Sequence, residues 1–322
     1  MKVSVAMITY NHEEFIAKAI DSILMQRTNF DYEIVIGEDC STDNTRNIII
    51  DYNNKYPNKF RLFLNDKNLG GHRNFKQIFE SCKGEYLALL EGDDYWTSPV
   101  KLQKQVDFLD NHPECAICFH NVTELYSIDC REPHEFLPKN QKEFFSVEEL
   151  FQGNFMPTPS VMYRNGLIKE IPEWFSFLKF GDWALHILHA LHGNIGYIDE
   201  VMAVHLNHQG GIWTRLSSVE RGKAFIPVYD HLYTHLGPRY RGIIALKRYN
   251  MYINIAAQYE DMGELAEAKK YALKAFTKNL KIDIDIIKLY LKLYFPELKP
   301  LKRHIYTFLK HLFSNFTSNK KH

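Results

Sequence analysis

The first hundred residues alternate short apolar segments with amphipathic helical segments, and this alternation restricts the possible folds more than any other feature of the chain. Residues 3–9, 32–37, 60–64 and 87–90 have the apolar character of strands, and a helical pattern follows each of them. The order strand, helix, strand, repeated this regularly, predicts an α/β fold with a doubly wound, mostly parallel sheet. Ligands of such sheets bind beyond the carboxyl ends of the strands.

Polar residues follow three of these strands at the point where each strand ends. The three clusters are Thr9-Tyr10-Asn11, Glu38-Asp39 and Glu91-Gly92-Asp93-Asp94. Because the carboxyl ends of parallel strands meet at one edge of the sheet, we expect the clusters to converge there. Asn11 is also expected to cap the first helix, with Glu14 at the third helical position.

The acidic cluster at residues 91–94 predicts a cation site. Adjacent buried carboxylates are costly without a partner, because each loses its hydration and they repel one another. Oxygen ligands at this density suit Mg²⁺ or Mn²⁺, which in turn hold phosphate oxygens. The alternative is an acidic turn exposed to solvent, since unpaired aspartates mostly lie at protein surfaces.

Composition and charge exclude several classes of protein. With 322 residues, 45% of them apolar, the chain can form one large domain or two ordinary ones. The 39 Lys and Arg residues balance 39 Asp and Glu residues, which argues against a nucleic-acid partner. No G-x-G-x-x-G follows the first strand and no G-x-x-x-x-G-K-S/T occurs, so dinucleotide dehydrogenases and P-loop NTPases are disfavoured. The first apolar run is too short for a signal peptide, no later run reaches bilayer length, and the five cysteines lack a disulfide framework, so a cytoplasmic protein is expected.

The last third of the chain has a helical pattern to its end. Residues 249–280 have the spacing of one tetratricopeptide-like helical hairpin. From residue 281 the tail carries nine Lys or Arg residues against three Asp or Glu residues, interleaved with large apolar residues. Such a basic amphipathic helix either packs its apolar face on neighbouring helices or lies on an anionic membrane. The second alternative would place the protein peripherally at the inner face of the plasma membrane.

Six segments, taken in order, resemble the family 2 glycosyltransferases of the GT-A fold. They are residues 3–11, Glu38-Asp39-Cys40-Ser41-Thr42-Asp43, residues 68–74, Glu91-Gly92-Asp93-Asp94, Phe180-Gly181-Asp182-Trp183 and residues 205–213. The resemblance implies a glycosyltransferase domain over residues 1–215, with a nucleotide-binding half at 1–126 and an acceptor-side half at 127–215. Residues 216–322 then form a separate helical region.

The chain departs from the family pattern in three respects. Glu38 and Glu91 stand where the family usually has aspartate, which keeps the charge on a longer side chain. Gly181 stands where the family often has glutamate, so Asp182 is the single candidate base. No Q-x-x-R-W follows Asp182, which disfavours a processive polysaccharide synthase.

The resemblance implies roles for residues on both sides of the site. Those expected to border the donor nucleotide are Thr9, Tyr10, Asn11, Glu13, Asp39, Arg73 and Asp93. The metal ligands are expected to be Asp93, Asp94 and His208, holding Mn²⁺ or Mg²⁺. The residues expected near the acceptor or the phosphates are Glu91, Trp96, Trp183, Gly210, Gly211 and Trp213. Asp39 would accept a hydrogen bond from a uracil N–H. The Arg73 guanidinium would pair with the diphosphate, and the alternative for Arg73 is a surface ion pair.

Asp182 is expected to act as the general base. Transfer of a sugar by single displacement, with inversion, requires a carboxylate that takes the proton of the acceptor hydroxyl. The other interpretation of Asp182 is an N-cap for the helix that starts at Trp183. The donor implied is a UDP-sugar and the acceptor a saccharide or lipid-linked saccharide, as in cell-surface polysaccharide synthesis.

Two other classes of function compete with this hypothesis. A sugar nucleotidyltransferase would need a glycine-rich loop with Arg and Lys after the first strand, and the sequence lacks one. A non-catalytic protein that binds sugar or nucleotide, or a tetratricopeptide-like adaptor, could use the helical hairpin for partners.

Overall fold

The computed structural model describes residues 1–129, 131–278, 289, 293 and 294. The chain divides into two compact units, Met1–Arg215 and Leu216–His322. Each unit has its own cluster of buried apolar side chains.

Within the described residues, ten strands of the first unit form one sheet. The strands are β1 (Val3–Thr9), β2 (Tyr32–Glu38), β3 (Phe60–Leu64), β4 (Tyr86–Leu89), β5 (Tyr95–Trp96), β6 (Cys115–Tyr126), β7 (His134–Glu135), β8 (Phe144–Phe145), β9 (Met162–Arg164) and β10 (Asn194–Asn207). Their order across the sheet is β3-β2-β1-β4-β9-β6-β10-β5, with β7 paired to β6 and β8 paired to β10.

The longer pairings in this sheet are parallel. Strand β1 pairs in parallel with β2 on one side and with β4 on the other, so that Val5 lies opposite both Ile34 and Ala88. Strands β6 and β10 also run parallel to each other, whereas the short β9 is antiparallel to both β4 and β6. The predicted α/β fold with a mostly parallel sheet is therefore confirmed.

Six helices of the first unit accompany the sheet in the described residues. They are α1 (Ile16–Leu24), α2 (Thr45–Lys55), α3 (Gly71–Ser81), α4 (Lys101–Asn111), α5 (Val147–Leu150) and α6 (Asp182–Ala190). Helix α1 has a strong apolar face because Ile16, Ile20 and Ile23 recur at helical spacing, and all three are fully buried with Val3 and Val5 of β1. Burial of one such side chain contributes about 1.5–3 kcal/mol.

The predicted cap of the first helix is wrong. Helix α1 begins at Ile16 with Phe15 at the N-cap position and without a side-chain cap. Asn11 lies five residues earlier, in the left-handed region at φ 54°, and its Oδ1 accepts a hydrogen bond from the Thr42 N–H at 2.8 Å. Asn11 tolerates this conformation better than most residues do, because its short amide bonds locally.

The second unit is helical in its described residues, as the sequence predicts. Its helices are α7 (Ser218–His235), α8 (Pro238–Asp261) and α9 (Leu265–Lys278). The side chains of Ser217 and Glu220 form a capping box at the start of α7. Helix α8 starts earlier than the pattern indicates, because Pro238 occupies its first turn, where a missing N–H costs nothing. Gly263, at φ 79°, then turns the chain into α9.

Among the described residues, no helix combines the length and the hydropathy needed to span a membrane. The basic tail that begins at residue 281 lies outside the described residues except for Leu289, Leu293 and Tyr294. Its docking to membrane remains a prediction from the sequence.

Candidate active site at the carboxyl edge of the sheet

The acidic cluster lies where β4 ends, next to the end of β1. The Gly92 N–H donates to the Ile8 carbonyl at 3.0 Å, and the Asp94 N–H donates to the Glu91 carbonyl at 3.2 Å. This tight turn brings carboxylate oxygens of Glu91, Asp93 and Asp94 within 4.8 Å of one another. The solvated acidic turn considered above is therefore wrong for Asp94, which is 2% exposed.

Asp94 is held by the end of β10. Its Oδ1 accepts a hydrogen bond from the Leu206 N–H at 2.8 Å, whereas its Oδ2 is buried without a hydrogen-bond partner. Burial raises the pKa of Asp94 to about 7, although the neighbouring His205 opposes this shift. Burial, together with the charges of Asp93 and Asp94, also raises the pKa of Glu91 well above its ordinary value. The cluster therefore concentrates acidic groups that a cation would stabilise.

A histidine that the sequence analysis left out of the site lies against these acids. His205 Nδ1 is 3.2 Å from Glu124 Oε1. Burial opposes the charged ring, but Asp94 and Glu124 outweigh it and raise the pKa of His205 to about 9. Charge from His205 thus partly compensates the buried acids. Glu124 lies on β6 and pairs with His205 across the β6–β10 ladder, a contact between residues 81 positions apart that no local pattern could show.

Asp93 lies between two imidazole rings. His208 Nε2 is 2.9 Å from Asp93 Oδ2, and His12 Nε2 is 3.7 Å from the same oxygen. Burial alone would raise the pKa of Asp93, but His12 and His208 lower it overall. Burial in turn lowers the pKa of His12. One ligand atom from each of the three residues lies within 4.8 Å of the others, so this group as well as the acidic cluster could hold a metal ion.

The donor side of the edge is built from the turns after β1 and β2. Asp39 is 1% exposed, and its carboxylate accepts hydrogen bonds from the N–H groups of Leu69 and Gly70 at 2.8 and 2.9 Å. Its own N–H donates to the Thr9 carbonyl at 3.1 Å. Asp39 therefore fixes the loop that leads into α3 against the end of β1, and its expected contact with uracil remains a prediction.

Two further residues expected at the nucleotide bind neighbouring backbone. Asn11 accepts from Thr42 as described above, and Glu13 Oε2 accepts from the Asn44 N–H at 2.8 Å. These contacts join the turn after β1 to the turn after β2. Tyr10, in contrast, is 41% exposed beside them.

Arg73 lies in the first turn of α3 and is exposed to solvent. Its guanidinium carbon is 5.8 Å from the centre of the Phe177 ring. A cation in the first turn of a helix, where backbone N–H groups also point outward, is suited to bind a phosphate group.

Asp182 is the first residue of α6, with Gly181 at the N-cap position. The alternative interpretation of Asp182 as the N-cap is therefore wrong. Its Oδ2 accepts a hydrogen bond from Asn154 Nδ2 at 2.8 Å. The Asp182 charge also contributes to the raised pKa of Glu91 and opposes the burial that lowers the pKa of His72. Asp182 thus belongs to the same charged edge, and His72 and Asn154 are neighbours that the sequence analysis missed.

Two tryptophans expected at the acceptor side lie in the interior instead. Trp96 is 1% exposed and its indole N–H donates to the Pro159 carbonyl at 2.9 Å. Trp183 is 2% exposed and donates to the Leu150 carbonyl at 2.9 Å. Trp213 is 43% exposed, with its ring centre 5.0 Å from that of Phe180, so it remains the tryptophan available to a ligand at this edge among the three.

The loop that carries Trp213 begins at His208. The Gly211 N–H and the Thr214 hydroxyl both donate to the His208 carbonyl, at 3.1 and 2.6 Å. Gly210 is exposed beside His208. The expected loop residues Gly210 and Gly211 therefore shape the turn around His208.

Comparisons with known proteins identify the family and the fold of the chain. Residues 4–171 match the family model described as glycosyl transferase family 2. A Mycobacterium bovis protein of uncharacterised function is 45% identical over 211 residues, which make up 65% of this chain and 60% of that protein. The chain thus spans less than two thirds of the length of that relative.

Two solved structures share the fold. Staphylococcus aureus TarS 1–349, in complex with UDP-GlcNAc, superposes with a TM-score of 0.65 and 18% identity over 94% of this chain and 87% of that chain. The mannosyltransferase PcManGT from Pyrobaculum calidifontis, in complex with GDP-Man and Mn²⁺, gives a TM-score of 0.57 and 14% identity over 99% of this chain and 87% of that chain. At sequence identities of 18% and 14%, these similarities show a shared fold and no more.

Proposed function

Because the chain belongs to glycosyl transferase family 2, and is therefore a glycosyltransferase, we propose that it transfers a sugar from a UDP-sugar to an acceptor hydroxyl by metal-dependent single displacement. The observation that carries the proposal is that Asp93 is shared by two groups of possible metal ligands at this edge of the sheet, one with Glu91 and Asp94 and the other with His12 and His208. The charge of Asp182 also acts on Glu91. Family membership decides against the nucleotidyltransferase and the non-catalytic adaptor.

The donor would bind across the turns after β1, β2 and β4. The uracil would meet Asp39, with Thr9, Tyr10, Asn11 and Glu13 around the nucleoside. The choice of uridine is supported by the fold shared with TarS, which binds UDP-GlcNAc. Arg73, exposed at the N-terminus of α3, would pair with the diphosphate.

The site fits a divalent ion, because Asp93 Oδ1 and Asp94 Oδ2 are buried oxygens without hydrogen-bond partners. Asp93, Asp94 and His208 would hold the ion, for which the Mn²⁺ bound by PcManGT is a precedent within the fold. When bound, the ion would stabilise the negative charge that grows on the leaving nucleotide.

Asp182 would take the proton of the acceptor hydroxyl as that oxygen attacks the anomeric carbon. The new bond joins the acceptor oxygen to the anomeric carbon, and the bond from that carbon to the diphosphate breaks, with its electron pair leaving on the diphosphate oxygen. The hydrogen bond from Asn154 to Oδ2 holds the Asp182 carboxylate in place, and its other oxygen, Oδ1, would take the proton. The exposed Trp213 would stack on the acceptor sugar.

The acceptor would be a saccharide or a lipid-linked saccharide, and the setting cytoplasmic assembly of a cell-surface polysaccharide. This part of the proposal rests on the family resemblance of the sequence. The basic tail would then serve to bring the enzyme to the inner face of the plasma membrane.

Replacement of the base tests the reaction directly. Asp182→Asn should retain donor binding, measured by calorimetry with UDP and Mn²⁺, and should lose turnover by about 10²–10⁴-fold, which is the usual contribution of a general base. Asp199→Asn, on β10 and bonded to Tyr197, is the matched control and should keep its turnover. Near-normal turnover in Asp182→Asn would refute the assignment, and UDP binding that ignores Mn²⁺ would refute the metal-dependent donor site.

A further inference from the structure

Two imidazole nitrogens approach one carboxylate oxygen at the tip of β4. His208 Nε2 lies 2.9 Å and His12 Nε2 lies 3.7 Å from Asp93 Oδ2, and the two ring centres are 6.1 Å apart. His12 comes from the turn after β1, Asp93 from the turn after β4 and His208 from the end of β10. Three separate elements thus deliver three donor atoms to one point.

The ring of His12 is oriented by a neighbouring hydroxyl. Thr9 Oγ1 lies 3.2 Å from His12 Nδ1, and Thr9 itself is 3% exposed. When the hydroxyl accepts the Nδ1 proton, the lone pair of His12 lies on Nε2, the nitrogen that faces Asp93. A hydrogen bond at the far nitrogen is how proteins fix the tautomer of a metal-binding histidine.

Two glycines leave the space that the histidine rings occupy. A Cβ on Gly92 would lie 2.8 Å from His12 Nδ1, and a Cβ on Gly210 would lie 2.8 Å from His208 Cε1. The Phe15 ring packs against both, with its centre 4.7 Å from that of His208 and 6.3 Å from that of His12. The positions of both rings are therefore set by close packing as well as by hydrogen bonds.

We propose that His12 is a metal ligand, so that two imidazole nitrogens, from His12 and His208, bind the divalent ion together with the carboxylates of Asp93 and Asp94. This inference rests on the proposed metal-dependent function and adds His12 to the ligand set. A set with two nitrogens disfavours Mg²⁺, which prefers oxygen ligands, and favours Mn²⁺ and the later divalent metals of the first row.

Pulsed electron paramagnetic resonance of Mn²⁺ bound to the full chain tests the proposal without turnover, because directly bound nitrogen gives a hyperfine signal. We expect signals from two histidine nitrogens in the wild-type protein. His12→Gln should lose one of them and weaken Mn²⁺ binding about tenfold or more. His134→Gln, on the exposed strand β7, is the control and should keep both.

A second variant tests the proposal independently, in case His12→Gln does not fold. Thr9→Val keeps the shape of the side chain but removes the hydroxyl that orients His12, and it should weaken Mn²⁺ binding while both nitrogen signals persist. Two nitrogen signals in folded His12→Gln, or bound Mn²⁺ without any nitrogen signal in the wild-type protein, would overturn the proposal. Two signals together with UDP binding that is indifferent to Mn²⁺ would support the ligand set and reject the donor-binding role of the metal.

Discussion

Gly92 should be intolerant of any side chain, and Gly92→Ala is the simplest change that tests the close packing at the tip of β4. The added Cβ would lie 2.6 Å from Thr9 Oγ1, 2.8 Å from Thr9 Cβ and 2.8 Å from His12 Nδ1. Side chains do not approach one another within 3.0 Å in this way, so one of the neighbours must move.

The cost follows from how little Thr9 can move. Its side chain is 3% exposed, and its carbonyl accepts the Asp39 N–H at 3.1 Å, directly after the ladder that joins β1 to β2. Forcing one extra carbon into such a packed position typically costs about 1–3 kcal/mol. Since native domains are stable by only about 5–15 kcal/mol, this loss should be easy to measure.

Denaturant unfolding followed by tryptophan fluorescence is the appropriate assay. All four tryptophans of the chain lie in the unit Met1–Arg215, so their emission reports on that unit. The control is Gly153→Ala in the same unit, where a Cβ would meet no atom within 4 Å, and the expected change is within about 0.5 kcal/mol. If Gly92→Ala unfolds at the same denaturant concentration as the wild type, the packing described for Thr9 and His12 is not the native one.

Two further predictions concern charge. Because the pKa of His205 is raised from 6.5 to about 9 in the folded protein, its contribution to stability is full below pH 6.5 and is lost as the pH rises through 9. Because 34% of the His205 side chain is exposed and water screens its charge, the free energy of unfolding of the metal-free protein should fall over that range by about 1–2 kcal/mol. Titration of His205→Gln by the same fluorescence assay should give a flatter curve, and an unchanged slope would contradict the charge assigned to His205. Arg73→Gln should weaken UDP binding about tenfold, through loss of a charge-assisted hydrogen bond, and leave uridine binding unchanged in calorimetry; equal losses for both ligands would place Arg73 away from the diphosphate.

The parts of the fold that depend on local patterns could be predicted from the sequence. Strands β1, β2 and β3 lie where the apolar segments predict them, because each buried strand is a short apolar run bounded by polar residues. Their parallel pairing follows from the helices between them. Because these strands are parallel, the turns after β1, β2 and β4 lie at the same edge of the sheet.

The errors come from contacts between distant parts of the chain. Trp96, two residues after Asp94, was expected near the acceptor or the phosphates, but β5 pairs with β10 and sets Trp96 opposite Ala203, in the interior. Trp183 similarly faces inward because its indole bonds to Leu150. The inward orientation of both tryptophan side chains is fixed by residues more than thirty positions away in the sequence. A local sequence pattern cannot reveal such contacts.

The predicted order of the strands in the sheet could have placed His12 in the site. It directly follows Asn11, in the turn after β1, and β1 is the neighbour of β4 in the sheet. Any side chain that leaves this turn on the β4 side must lie near the acidic cluster. The order of the strands, and not the spacing of residues along the chain, therefore indicates that His12 lies near the acidic cluster.

The same geometry links the donor side of the site to the acceptor side. His208, whose ring faces Asp93, also supplies the carbonyl that accepts hydrogen bonds from Gly211 and Thr214. The loop shaped by those bonds carries Trp213, the exposed tryptophan of this edge. A ligand that fixes His208 against Asp93 would therefore also fix the start of the loop that meets the acceptor. Because β9 and β6 lie between β4 and β10 in the sheet, an ion at this point would join directly the donor and acceptor segments that the sheet connects only through those two strands.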